Sequence, residues 1–375
     1  MRIAIISDSH TKENIDFIYN YIRAKSSWKL DLIIINGDVL GENEIREGYG
    51  YSFNKKLFDA SLDKAKVLQD IAPNYAELKK ISVAYEQASQ DEQLKLELSR
   101  HIEEYVHHRY EQLLSILQKF SAIAKTCFNI GTYESPLHYR VLDELAFLLE
   151  VPETYIRSIA LLSDYRETFK EFLSKIKDPK QKKLVYIGGS TLLAGDLLIA
   201  AIPGLNSSSG AMDATSEFQE KITRDMLNTV RRQLGYVNKL LLLNQTQGKL
   251  RKDPFAFRPA SMAVREFIEE MKGKLKFKIF VQSYHHLMTT HFYNASEFYF
   301  MLNNSAVNNC LFNILEIGNK VICYDVDPKT DIVRKLKIYN YNLADYSTPE
   351  ERLGLNYEDA KEVVKERKLE GCYYI

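Results

Sequence analysis

The chain has 375 residues, and 50 Lys and Arg balance 50 Asp and Glu, so its formal charge is zero. That length permits one large or two ordinary domains around a sizeable core, and the balance excludes a global field that would draw the chain to nucleic acid or acidic membranes. No apolar run approaches the ~18 residues of a membrane span, and the four cysteines, Cys127, Cys310, Cys323 and Cys372, form neither a CxxC pair nor a zinc-knuckle spacing.

The first strand is expected from Arg2 onward, which leaves no room for a signal peptide. Together with buried, reduced thiols this predicts a cytoplasmic protein without membrane association. Residues 3–6 and 32–35 are short Ile-rich runs that read as buried parallel strands. Between them, Ile15, Ile18, Tyr19 and Ile22 fall on one helical face. The result is a β-α-β unit.

Each strand of that unit is followed by residues with metal-binding chemistry. Asp8-Ser9-His10 follows the first and Gly37-Asp38 the second. Ligands of open α/β sheets bind at the carboxyl ends of strands, so two carboxylates and an imidazole are delivered to one edge. Oxygen and nitrogen donors of this kind suit Mn, Fe or Zn. Asp38 on its own reads as a helix cap more often than as a ligand; the two motifs together point to a metal.

Residues 51–125 read as a large helical insertion. Phe58, Leu62, Ala65, Leu68 and Ala72 make one apolar stripe, broken at Pro73, and Ile102, Val106, Tyr110, Leu113, Leu117 and Phe120 make another. An αα-hairpin folded across the sheet edge is the expectation, either as a lid or partner surface or as a packed decoration. His101, His107 and His108 are placed with Glu103, Glu104 and Arg109 on a solvated face. Further helices are expected over residues 153–177 and 216–239.

Between Lys239 and Lys278, ten Lys or Arg face four Asp or Glu. Lys249, Arg251, Lys252 and Arg258 lie in one loop of that stretch and suit either a phosphodiester or plain solvent. Residues 311–317 and 320–325 predict a closing hairpin with Gly318-Asn319 at the turn. A capped helix and an apolar terminus are expected over 347–375.

At this point the chain resembles the calcineurin-like metallophosphoesterases, whose pattern is Asp-x-His, Gly-Asp, Gly-Asn-His-Glu/Asp, a lone His after a strand, and Gly-His-x-His. Here Gly131-Thr132-Tyr133-Glu134 stands for the third motif, Gln245 for the lone His, and Ser283-Tyr284-His285-His286 for the last. The resemblance implies an α/β/β/α sandwich of two mixed sheets, with residues 1–50 and 126–346 as its core. Its ligand edge is expected in the loops after Ile6, Ile35, Ile130, Leu243 and Val281.

The resemblance also implies that Asp8, His10, Asp38 and His286 hold one metal. A one-residue slip in the last motif would make His285 the ligand instead. The second metal's positions hold Thr132, Gln245 and Tyr284, which are neutral and weak ligands, and Tyr133 occupies the catalytic His position. An ordinary tyrosine, with a pKa of about 10, is a poor proton shuttle at neutral pH. One divalent metal or none is therefore expected.

Two functions follow. One is a non-catalytic binding protein that engages a protein or ribonucleoprotein partner, or a phosphate-containing ligand. The other is a single-metal phosphoesterase acting on a phosphodiester or phosphomonoester.

Overall fold

The computed structural model describes residues 1–40, 92–131, 134, 145–146, 156, 166–176, 183–204, 212–245, 261–287, 290–295, 297–304, 306 and 310–341. The loop carrying Lys249, Arg251, Lys252 and Arg258, the stripe from Phe58 to Ala72, residues Thr132 and Tyr133, and the tail over 347–375 lie outside the described residues.

Ile alternation builds the first layers. In β1 (Arg2–Ile6) Ile3 and Ile5 face one way, while Ala4 and Ile6 face the other. In β2 (Leu32–Asn36) Leu32 and Ile34 share the first face, and Ile33 and Ile35 the second. The side-chain period of two thus fills two different cores from one strand. Between β1 and β2 runs α1 (Lys12–Ala24), capped by the Thr11 side chain accepting the Asn14 N–H, with Ile15, Ile18 and Ile22 buried.

Then come α2 (Glu92–Ile123), β3 (Lys125–Asn129), α3 (Arg166–Ile176) and β4 (Leu184–Tyr186). They are followed by β5 (Thr191–Ala194), β6 (Leu197–Ile202), α4 (Met212–Gln233), β7 (Lys239–Asn244), α5 (Met262–Glu270) and β8 (Phe277–Leu287). The remaining strands are β9 (His291–Ala295), β10 (Phe298–Asn304), β11 (Phe312–Ile317), β12 (Val321–Asp327), β13 (Ile332–Lys335) and β14 (Tyr339–Tyr341).

Among the described residues the strands form two sheets, in the orders β13-β12-β11-β1-β2-β3-β4 and β14-β9-β10-β8-β7-β6-β5. β1 to β4 run parallel, and so do β6, β7, β8 and β10, with antiparallel strands joined at the flanks. β11 and β12 pair antiparallel across Ile317 and Val321, the expected closing hairpin. Ile3, Ile5, Leu241, Leu243, Ile279 and Val281 interleave between the sheets. Helices α1, α2 and α3 cover the outside of the first sheet, and α4 and α5 the outside of the second. This is the two-sheet α/β/β/α sandwich.

Two expectations need correction. The stripe of Ile102, Val106, Tyr110, Leu113, Leu117 and Phe120 is buried as read, and it packs with Ile18, Ile22 and Phe128 in one cluster. Helix α2 thus covers the first sheet and leads into a parallel β3. Its supposed solvated face is also partly inside: His101 is 3% exposed and Arg109 7%. The second correction concerns β8, which continues through Leu287. Tyr284, His285 and His286 therefore lie within the strand instead of in a loop after Val281; the placement of their side chains is outside the described residues.

Candidate metal centre

Four parallel strands of the two sheets end beside one another, and polar residues replace isoleucine and leucine at those ends. Ser7 follows β1, Asn36 and Asn129 finish β2 and β3, and Asn244 finishes β7. Buried amides are costly unless they pair, and these do so within each sheet and across the sandwich. Asn36 Nδ2 donates to Ser283 Oγ at 2.7 Å, Ser283 Oγ donates to Asn303 Oδ1 at 2.8 Å, and Asn303 Nδ2 donates to Ser7 Oγ at 2.5 Å. Asn129 Nδ2 donates to Asn36 Oδ1 at 2.9 Å, and Asn244 Nδ2 to Gln282 Oε1 at 2.6 Å. The network stitches one sheet to the other directly beneath the loops that carry the site.

Above it, the loops after β1 and β2 are tied backbone to backbone. The Asp8 N–H donates to the Gly37 carbonyl at 3.0 Å and the His10 N–H to the Asp38 carbonyl at 3.1 Å. Asp8, His10 and Asp38 all take left-handed backbone conformations, with φ of 51°, 53° and 50°. Such conformations are costly for residues other than glycine and persist where surroundings enforce them, commonly at functional sites. Here they turn three side chains toward one point. The ligand atoms of Asp8, His10 and Asp38 lie within 4.8 Å of one another, and among the described residues no other His, Cys, Asp and Glu group of three does so.

Glycines allow the approach. A Cβ on Gly37 would come within 2.5 Å of the Gly131 nitrogen, and one on Gly131 within 2.4 Å of Asp38 Oδ1. The loop after β3 is fastened by Glu134, whose carboxylate accepts the N–H groups of Gly131 at 2.6 Å, Val39 at 2.6 Å and Asp38 at 2.8 Å. Burial, then the charge of Asp38, push the Glu134 carboxyl up to about 7, opposed by those three amides. From α2, Arg109 Nη2 reaches the Leu40 carbonyl at 3.2 Å and Tyr110 donates its hydroxyl to the Glu134 carbonyl at 3.2 Å. Sequence alone assigns no role to Glu134 or to Arg109. The signal for Glu134 is its place at the end of the third motif; for Arg109 a charged residue on a helix gives none.

Gln245 is the second find. Its amide nitrogen donates to Asp8 Oδ1 and to Asp38 Oδ2, both at 3.0 Å, while its own Oε1 is buried and has no hydrogen-bond partner among the described residues. Two buried carboxylates and an imidazole form a hard O/N donor set, and a neutral amide cannot balance two negative charges. The residues present thus fit one divalent cation. Of the residues expected at the site, the structure gathers Asp8, His10, Asp38 and Gln245.

No family model matches the chain, and no curated protein matches it. Solved structures with a similar fold include TT1561 of Thermus thermophilus, at 9% identity and TM-score 0.41, covering 90% of this chain and 98% of that one. A dimetal phosphatase from Danio rerio matches at 9% identity and TM-score 0.43, covering 90% and 99%. GAP50, the anchor in the inner membrane complex of Plasmodium, matches at 8% identity and TM-score 0.38, covering 96% and 93%. The metallophosphoesterase-like reading therefore stands on this chain's own strand order, layers and motif positions.

Proposed function

We propose that this chain is a metal-binding protein of metallophosphoesterase-like fold that holds a single divalent ion and serves as a binding protein rather than a hydrolase. The observation that carries this reading is Gln245. Where the resemblance puts a ligand of a second metal, this chain has an amide that donates to the carboxylates of Asp8 and Asp38. Asp8, His10 and Asp38 would hold the ion, with His286 as the expected fourth ligand. When bound it would supply Lewis acidity and lower the pKa of a coordinated water toward ~7.

The chain's own residues favour retention over turnover. Glu134 pins the Asp38 loop through three backbone amides and keeps that ligand's backbone in its strained conformation. Thr132, Tyr284 and Gln245 supply no charge to a second dication, and Tyr133 replaces the general acid. Loss of a general acid alone costs roughly 10²–10⁴-fold in rate. The engaged ligand in this proposal is a protein or ribonucleoprotein partner, or a phosphate-bearing group met by Lys249, Arg251, Lys252 and Arg258. A cytoplasmic setting accords with Cys127, Cys310 and Cys323, which are buried and free. No helix among the described residues is long and apolar enough to cross a membrane.

Hydrolysis of bis-p-nitrophenyl phosphate and p-nitrophenyl phosphate with Mn²⁺ tests the choice. The unmodified chain is expected to match its Asp38→Asn variant at background. Brisk turnover that disappears in Asp38→Asn would instead establish the single-metal phosphoesterase.

A further inference from the structure

The amide of Gln245 is asymmetric in a way the site can use. Its nitrogen face is engaged with Asp8 and Asp38, and its oxygen is buried with no donor among the described residues. The stem of the side chain is boxed in, since a Cβ on Gly37 would fall 2.9 Å from Gln245 Cγ and one on Gly204 3.1 Å from it. The backbone is fixed as well, its N–H donating to the Ile202 carbonyl at 3.3 Å. Only the terminal torsion is left to rotate, and such sp³–sp² torsions are broad, with two roughly equivalent settings.

We propose that Gln245 is a ligand of the ion held by Asp8, His10 and Asp38, coordinating through Oε1 with its amide half a turn away from the setting in which Nε2 donates to the two carboxylates. This rests on the one-metal reading given above. Rotation by half a turn places Oε1 where Nε2 now stands, 3.0 Å from Asp8 Oδ1 and 3.0 Å from Asp38 Oδ2. Three oxygens at that spacing repel one another without a cation. Around a cation they fit well, because oxygens bound at ~2.1 Å and at right angles lie about 3.0 Å apart. The nitrogen-in setting bridges the two carboxylates, and the oxygen-in setting gives the oxygen a cation as partner while moving the amide N–H groups to where the oxygen now lies. Gln245 is then neither a remnant of the second site nor a spectator, but an exchangeable neutral ligand of the remaining one.

Titration of the full chain with Mn²⁺ by calorimetry tests this, comparing the unmodified protein with Gln245→Met, Gln245→Glu and Asp38→Asn. Methionine keeps the length but removes the oxygen, and it should weaken Mn²⁺ binding about tenfold or more, in the range seen when groups supporting a metal are lost. Glutamate, which has an oxygen in either setting, should bind at least as tightly as the unmodified chain. Asp38→Asn should lose binding altogether. Methionine binding Mn²⁺ as tightly as glutamine, with Asp38→Asn still defective, would overturn the ligand role of Gln245 while leaving the one-metal site intact. An unmodified chain that binds no Mn²⁺ would overturn both. Should Gln245→Met fail to fold, the side-chain amide resonance of Gln245, identified by its absence in Gln245→Glu, decides the matter. Saturating Zn²⁺ should shift it as its protons leave the two carboxylates, and an unmoved resonance would contradict the proposal.

Discussion

A methyl group added at Gly131 would lie 2.4 Å from both the backbone nitrogen and the Oδ1 atom of Asp38. Neither can retreat, because the same nitrogen donates to Glu134 and Asp38 sits at φ 50°. Gly131→Ala is therefore expected to destabilise the fold by about 1–3 kcal/mol, the usual cost of overpacking, and to abolish the Mn²⁺-induced thermal shift. Stability lost with metal binding unchanged would show that Asp38 is not a ligand. His291 makes a separate prediction. It is 7% exposed, and burial holds its imidazole below the ordinary histidine pKa, with Asp325 opposing the shift. The unfolded chain then binds the proton more readily, so this contribution to stability is whole above the ordinary value of ~6.5 and is lost as pH falls below it, by up to about 1.4 kcal/mol per pH unit. Urea midpoints at pH 7.5 and 5.5 should converge in His291→Gln relative to the unmodified chain; an unchanged difference would place the acid sensitivity elsewhere.

Helix α2 carries much of the first core. Phe120 is fully buried, meets Tyr19 edge-on with ring centroids 5.5 Å apart, and shares a cluster with Ile18 and Phe128. Phe120→Ala should cost about 3–5 kcal/mol, as large-to-small core changes do, read as a lower urea midpoint at constant m-value. A surface appendage would lose far less. Amino-acid periodicity foretold the buried face of α2 but not what it faces, because a 3.6-residue stripe reports that a helix is covered and says nothing about the covering partner. The strands were more readable: Ile3 and Ile5 against Ala4 and Ile6 alternate because a sheet between two layers needs both faces apolar. That Asp8, His10 and Asp38 meet at one point was readable for the same reason, since the apolar run fixes where a strand ends and these residues lie just past that end. The length of β8 was not, as Gln282, Ser283 and Tyr284 look like an exit from the core. Two of these, Gln282 and Ser283, are 1% exposed and offset their burial by hydrogen bonds to Asn244, Asn36 and Asn303, which only the folded sandwich supplies.

The sandwich as a whole holds the loops of Asp8, His10 and Asp38 against a cross-sheet polar network, so an ion held there would stabilise the fold. At a metal concentration 100 times the dissociation constant, one bound ion should add about 2.7 kcal/mol. A second ion ~4 Å away would face a repulsion of about 4 kcal/mol per unit-charge product at an effective dielectric of 20, roughly four times that for two dications. Thr132, Tyr284 and Gln245 bring no charge to offset it. Native mass spectrometry of the full chain titrated with Mn²⁺ or Zn²⁺ measures this directly. One ion per chain at saturation, lost in Asp38→Asn, is the expected result, and two tightly held ions per chain would contradict it.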